Sequence, residues 1–133
     1  MLQLVAVMPK AVHKTILVVD DEDDIREAVR DVLESCIEGT DIFTATSGHD
    51  ALKVLNERHV DLIVTDYKMP GMNGVQLLSA AEKVAPGLPH ILITAFDREL
   101  ITELGSQAKQ ERIVQKPVEP DRLIREVERA LGR

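Results

Sequence analysis

Apolar and polar positions along the chain change period in a regular way. Short unbroken apolar runs end the segments Thr15-Ile-Leu-Val-Val, Val60-Asp-Leu-Ile-Val-Thr, His90-Ile-Leu-Ile and Arg112-Ile-Val-Gln. Runs of four to six β-branched and aliphatic residues bounded by polar residues predict strands buried on both faces of a parallel sheet. Ile42 to Ala45 supplies one more strand. Between the runs the apolar residues recur at helical spacing. Ile25, Val29, Val32, Leu33 and Cys36 predict a first helix over about Asp23 to Ile37, with Gly39 as its stop and Cys36 as a buried, inert thiol. Ser47 and Asp50 form a capping-box-like pair before the stripe Ala51, Leu52, Val54 and Leu55. The third helix is expected over Val75 to Val84, closed by Pro86-Gly-Leu-Pro. A fourth follows over Arg98 to Lys109. A fifth runs from Glu119 to Leu131 with Pro120 in its first turn and Leu123, Ile124, Val127 and Leu131 buried. Five strand–helix alternations predict a three-layer α/β domain with a parallel sheet.

In such a sheet the carboxyl ends of the strands share one edge, where ligands bind. Asp20, Asp21, Asp66, Thr94 and Lys116 all stand at strand ends. Convergence would place three carboxylates, a hydroxyl and an ammonium in one crevice. That set suits a hard divalent cation and a phosphoryl group. Mg²⁺ keeps several waters and takes one or two carboxylates plus phosphate oxygens. Asp23 and Asp24 of the run Asp20 to Asp24 are accounted for as acids at a helix start. Asp20 and Asp21 are less well accounted for that way, since like charges at a strand end repel unless a cation joins them. A carboxylate at Asp66 is a competent nucleophile toward phosphorus. Lys116 can reach a phosphate and precedes Pro117, a bond that can be cis. Thr94 offers a hydroxyl donor. Lys68 and Phe96 are expected to border the path of a water attacking the resulting acyl phosphate.

Size, composition and charge narrow this further. With 133 residues and 44% apolar content, the chain suits one domain with its own core. A net charge of −7 argues against a nucleic-acid surface. One cysteine leaves no internal disulfide and fits a reducing compartment. The apolar start, Met1 to Met8, lacks the basic region and length of a secretory signal and is too short to span a bilayer. It is expected to be a disordered or loosely docked extension rather than an added strand or a self-association patch. His13, His49, His59 and His90 are dispersed, with no metal-ligand spacing, and no Gly-rich phosphate loop is present.

Taken in order, the Asp-Asp pair ending strand one, Asp66 before the loop Met-Pro-Gly-Met-Asn-Gly, Thr94-Ala and Lys116-Pro resemble the receiver domain of bacterial response regulators, the CheY-like superfamily of two-component systems. The likeness covers Thr15 to Arg133. It implies a flavodoxin-like (βα)5 three-layer sandwich with strand order 2-1-3-4-5, formed by residues 15–133 after an N-terminal extension of 1–14. It implies a phosphoacceptor switch rather than an enzyme, with self-catalysed phosphorylation and dephosphorylation. Asp66 would accept a phosphoryl group from a histidine kinase or histidine phosphotransfer protein. Asp21 and Asp66 would ligate Mg²⁺, or Mn²⁺ in its place, with the backbone carbonyl of Lys68, and Asp20 would assist through water. Thr94 and Lys116 would bind phosphoryl oxygens. The protein would work in the cytoplasm on a downstream protein, without membrane insertion or direct nucleic-acid binding.

Two positions depart from the family pattern. Ile113 stands where a Tyr or Phe is usual, and Gln107 to Arg112 replaces a small or Gly-containing stretch. With no linker after the last helix, a stand-alone switch is expected. A receiver cut from a longer regulator or hybrid histidine kinase is the alternative. An aspartate-nucleophile phosphohydrolase is disfavoured, because Lys68 stands where haloacid-dehalogenase-like phosphatases carry their general acid.

Overall fold

Alternating strands and helices build one five-stranded sheet in the computed structural model, which describes residues 13–95 and 98–133, without the side chains of 108–110. The extension before His13 and the ring of Phe96 lie outside the described residues. The strands are β1 (Lys14–Val19), β2 (Thr40–Ala45), β3 (Leu62–Asp66), β4 (His90–Thr94) and β5 (Ile113–Gln115). They pair in parallel in the order β2-β1-β3-β4-β5. The helices between and after them are α1 (Asp23–Cys36), α2 (Gly48–Glu57), α3 (Gly74–Val84), α4 (Arg98–Leu104) and α5 (Pro120–Ala130).

Period-two alternation divides the strand side chains between two faces. Ile16, Val18, Leu62, Val64, Ile91, Ile93 and Val114 meet Val29 and Leu33 of α1 and Leu123 and Val127 of α5. Leu17, Val19 and Ile63 meet Ala51 and Leu55 of α2 and Leu77 and Ala81 of α3. A smaller group joins Leu92 and Tyr67 to Leu100 and Leu104 of α4. Each fully buried aliphatic side chain is worth about 1.5–3 kcal/mol of transfer free energy. The central strand β3 is buried at all five positions, so its register is strongly set. Asp66, its last residue, is therefore held in register by the apolar residues that precede it.

Local chemistry sets the helix ends. Ser47 Oγ caps α2 by accepting the Asp50 N–H at 3.1 Å, while the Asp50 carboxylate takes the Thr46 hydroxyl instead of closing a reciprocal box. The full capping box lies at α3, between Asn73 and Gln76. The fourth helix is shorter than its spacing predicts. Gly105 takes a φ of +56°, and residues Gly105–Gln110 continue as a 3₁₀ turn.

One expectation about a side chain needs correction, and two further placements are set by packing. Cys36 is exposed, because Ile37, just past the end of α1, turns inward and takes the core position. Arg26 is buried despite its charge. It shares the inward face with Val29 and Leu33, three and seven residues on. Gly74 lies outside the positive-φ set that includes Gly71 at +75°. It is needed for space: a Cβ there would lie 2.5 Å from the Asp66 carbonyl oxygen.

Candidate functional site

The carboxyl edge of the sheet gathers the polar side chains. β1 and β3 pair directly, Val19 opposite Thr65, so the residues following β1 face the end of β3. Asp66 is opposite Ile93 and Thr94 opposite Gln115, which carries Lys116 to the same edge. Carboxylate oxygens of Asp20, Asp21, Glu22 and Asp66 lie within 4.8 Å of one another. Asp20 and Asp66 are buried, whereas Asp21 and Glu22 are exposed, so the cluster has a closed floor and an open rim. Glu22 is absent from the sequence-based set. The acidic run signals it, but only the turn after β1 brings it to the rim.

The buried pair is held by backbone groups. Asp20 accepts the Glu22 N–H at 2.9 Å, and its own carbonyl oxygen accepts Arg26 Nη1 at 2.8 Å. Arg26 Nη2 also reaches Asp23 at 2.5 Å, tying the first turn of α1 to this loop. Lys116 Nζ lies 3.3 Å from Asp66 Oδ1 and 3.8 Å from Glu22 Oε1. The Lys116–Pro117 bond is cis. Thr94 is buried and donates its hydroxyl to the Ala95 carbonyl at 2.7 Å. Lys68, exposed, shares with Glu22, Asp66, Thr94, Arg98 and Lys116 the lining of a cavity of about 370 Å³.

Electrostatics single out the same pair. Burial first, and then the Asp20 charge, push the Asp66 carboxyl up to about 6, against the pull of Lys116 and the Tyr67 N–H. Burial also raises Asp20, partly offset by its bond from Glu22 and by Lys116. Burial is the largest cause at both carboxyls, and one ammonium does not outweigh it. The arrangement can take a cation among the oxygens and an anion between Lys116 and Thr94.

A larger cavity, about 540 Å³, opens at the opposite edge beside Lys14, His59 and Leu131. Its acid is already engaged, since Asp61 accepts the Thr15 N–H at 2.8 Å and contacts His59 at 2.9 Å. His90, placed at the start of β4, contacts Glu111.

A doubly wound parallel sheet carrying an acid cluster, a hydroxyl and a lysine at one edge defines a class of phosphate-handling signalling domains. The response regulator receiver domain profile matches residues 16–128, and the chain belongs to that family. It is a receiver domain homologous to two-component response regulators, a signalling switch by family. It is 35% identical over 116 residues to the transcriptional regulatory protein GlrR of Escherichia coli (strain K12), covering 87% of this chain and 26% of that protein. It is 36% identical over 115 residues to an uncharacterized 14.6 kDa protein of Leptolyngbya boryana, covering 85% and 86%. The chain thus spans about a quarter of the length of GlrR. Among solved structures, chemotaxis protein CheY4 of Vibrio cholerae superposes with a TM-score of 0.79 at 25% identity, covering 90% of this chain and all of that one. A CheY-like receiver domain protein of Methanospirillum hungatei JF-1 gives 0.79 at 28% identity, covering 90% and 94%.

Proposed function

We propose that Asp66 is the phosphoacceptor of a Mg²⁺-dependent phosphorelay step. A carboxylate oxygen of Asp66 attacks the phosphorus of a phosphohistidine on a partner kinase or phosphotransfer protein. The P–N bond breaks, its electron pair returns to the imidazole nitrogen, and that nitrogen takes up a proton. The product is an acyl phosphate on Asp66; water then attacks the phosphorus, the P–O bond to Asp66 breaks, and the carboxylate and inorganic phosphate are released. The observation that carries this reading is the buried Asp66 carboxylate 3.3 Å from Lys116, among three further acids.

The donor set fits a hard cation. Its oxygens lie close enough to share one ion, and the Asp20 and Asp66 carboxyls stay raised, by burial first, despite the pull of Lys116. Asp21 and Asp66 would hold Mg²⁺, or Mn²⁺, with the Lys68 carbonyl, and Asp20 through water. The ion supplies charge neutralisation between the acceptor carboxylate and the phosphoryl oxygens. Lys116 draws a phosphoryl oxygen toward its ammonium. Thr94 turns its hydroxyl from the Ala95 carbonyl to another phosphoryl oxygen. The resulting shift around Thr94 changes which protein this domain contacts. It acts in the cytoplasm, and among the described residues no helix is long and apolar enough to cross a membrane.

The test is mass spectrometry after incubation with acetyl phosphate and Mg²⁺. One phosphoryl adduct is expected on the native chain and none on Asp66→Asn. Equal labelling of both would overturn the assignment.

A further inference from the structure

The residue next to the proposed acceptor reaches in two directions. The Tyr67 backbone N–H donates to the Ile93 carbonyl of β4 at 2.9 Å while lowering the Asp66 carboxyl beside it, and its own carbonyl accepts the Gly74 N–H at 2.8 Å. Its ring is buried among Leu92, Leu100 and Leu104, with Ile113 and Val75 packed around them. The hydroxyl emerges at the far side and donates to Glu103 Oε1 of α4 at 2.7 Å. The same oxygen accepts Asn73 Nδ2 at 3.2 Å, from the N-cap of α3. Glu103 is otherwise an exposed residue of a seven-residue helix. A single carboxylate oxygen therefore ties α4 to the loop that carries Asp66 and to the start of α3.

The residue of β5 that packs in this group is apolar. Ile113 packs in the same apolar group but has no hydroxyl. Hydrogen bonds to a charged acceptor are stronger than neutral ones. α4 buries Leu100 and Leu104 and stops at Gly105, so one such bond is a sizeable share of what holds it.

We propose that Tyr67, Glu103 and Asn73 form a latch that holds α4 in its unphosphorylated position and that phosphorylation of Asp66 releases. The inference rests on Asp66 being the phosphoacceptor. A phosphoryl group on Asp66 adds negative charge and bulk next to the Tyr67 backbone, whose N–H is held by the Ile93 carbonyl. Backbone movement there swings the buried ring, and the hydroxyl at its far end leaves Glu103. Freed α4 then presents a different outer surface, where Ile101 is already exposed.

Tyr67 is the one tyrosine of the chain, and there is no tryptophan, so tyrosine emission reports this hydroxyl directly. A carboxylate acceptor quenches that emission. Tyrosine emission and hydrogen exchange of residues 98–104 are to be followed before and after acetyl phosphate with Mg²⁺, with labelling checked by mass. In the native chain, phosphorylation should raise both emission and α4 exchange. Glu103→Ala should show raised emission and about fivefold faster α4 exchange before phosphorylation, as for loss of one such bond. It should change little on labelling. Glu103→Gln, whose neutral amide oxygen can still accept the hydroxyl, should start with raised emission but show α4 exchange between native and Glu103→Ala, rising on labelling. Tyr67→Phe should label at a rate within about twofold of native and show the exchange behaviour of Glu103→Ala.

If Glu103→Ala and Tyr67→Phe respond to labelling as the native chain does, the latch is wrong while the acceptor assignment stands. The latch also fails, and the acceptor stands, if the native chain is labelled with no change in emission or exchange. Failure of the native chain to be labelled at all overturns both readings.

Discussion

At Asp66, burial and the neighbouring Asp20 charge outweigh one ammonium at 3.3 Å, and the carboxyl rises to about 6. An acid whose folded value exceeds its unfolded value of 3.8 binds more protons in the native state between those two pH values. Stability of the metal-free protein should therefore fall as pH rises from about 4 to about 6, and the penalty should persist above that. Asp66→Asn removes the charge and should stabilise the protein in EDTA by about 1–3 kcal/mol at pH 7.5, but by little near pH 4. Urea midpoints at the two pH values check this. An equal effect at both would show that the amide acts through packing instead. Asp21 is exposed, so Asp21→Ala should leave EDTA stability nearly unchanged. It should weaken Mg²⁺ binding roughly tenfold or more in a calorimetric titration, since even outer partners of a metal cost that much. Unchanged affinity would remove Asp21 from the site.

Two close contacts between elements set the geometry of the edge. The first is Arg26, which crosses from α1 to the carbonyl of Asp20 at 2.8 Å. Arg26→Ala leaves that carbonyl without its partner and should cost about 1–3 kcal/mol. It should also slow labelling by acetyl phosphate and by a phosphohistidine donor alike, because it loosens Asp20 rather than a docking surface. Slowing with the protein donor alone would point to direct contact. The second is the start of α3 against the end of β3. A Cβ on Gly74 would meet the Asp66 carbonyl at 2.5 Å and the Leu92 side chain at 3.0 Å. Backbone cannot give way cheaply, so Gly74→Ala should cost about 1–3 kcal/mol. A thermal melt matching the native chain would show that α3 can shift without penalty.

Across the whole molecule, an apolar groove of about 420 Å³ runs between α1 and α5 and ends at Lys116. Ile25, Val32 and Val118 line it and are only half-buried, whereas Val29 is fully covered. On the proposed function, a protein donor to Asp66 would meet this groove beside Lys116. Ile25→Asp should slow transfer from the cognate kinase about tenfold, the effect of roughly 1.4 kcal/mol of lost contact. It should leave acetyl phosphate labelling unchanged. Equal slowing of both would place the damage in the site rather than in docking.

The division between what the chain's pattern decides and what its folding decides follows from how far apart the cooperating residues lie. The apolar runs at Ile16, Leu62 and Ile91 identify parallel strands, because a strand buried on both faces must be apolar at every position. A shared carboxyl edge then follows from the parallel order, and so Asp20, Asp21, Asp66, Thr94 and Lys116 could be grouped before any coordinates. What periodicity could not decide is which way a borderline side chain turns. Arg26 and Cys36 lie at the margins of one helical stripe, and the core took the arginine's stem and rejected the thiol. Glu22 joined the acids through the turn that follows β1. Gly105 ended α4 early through a local φ that competes with an otherwise helical pattern. The bond from Tyr67 to Glu103 links residues 36 apart in the chain, and nothing in either neighbourhood announces the other. Local rules act over a few residues. Such pairs exist only once the sheet and its helices are packed.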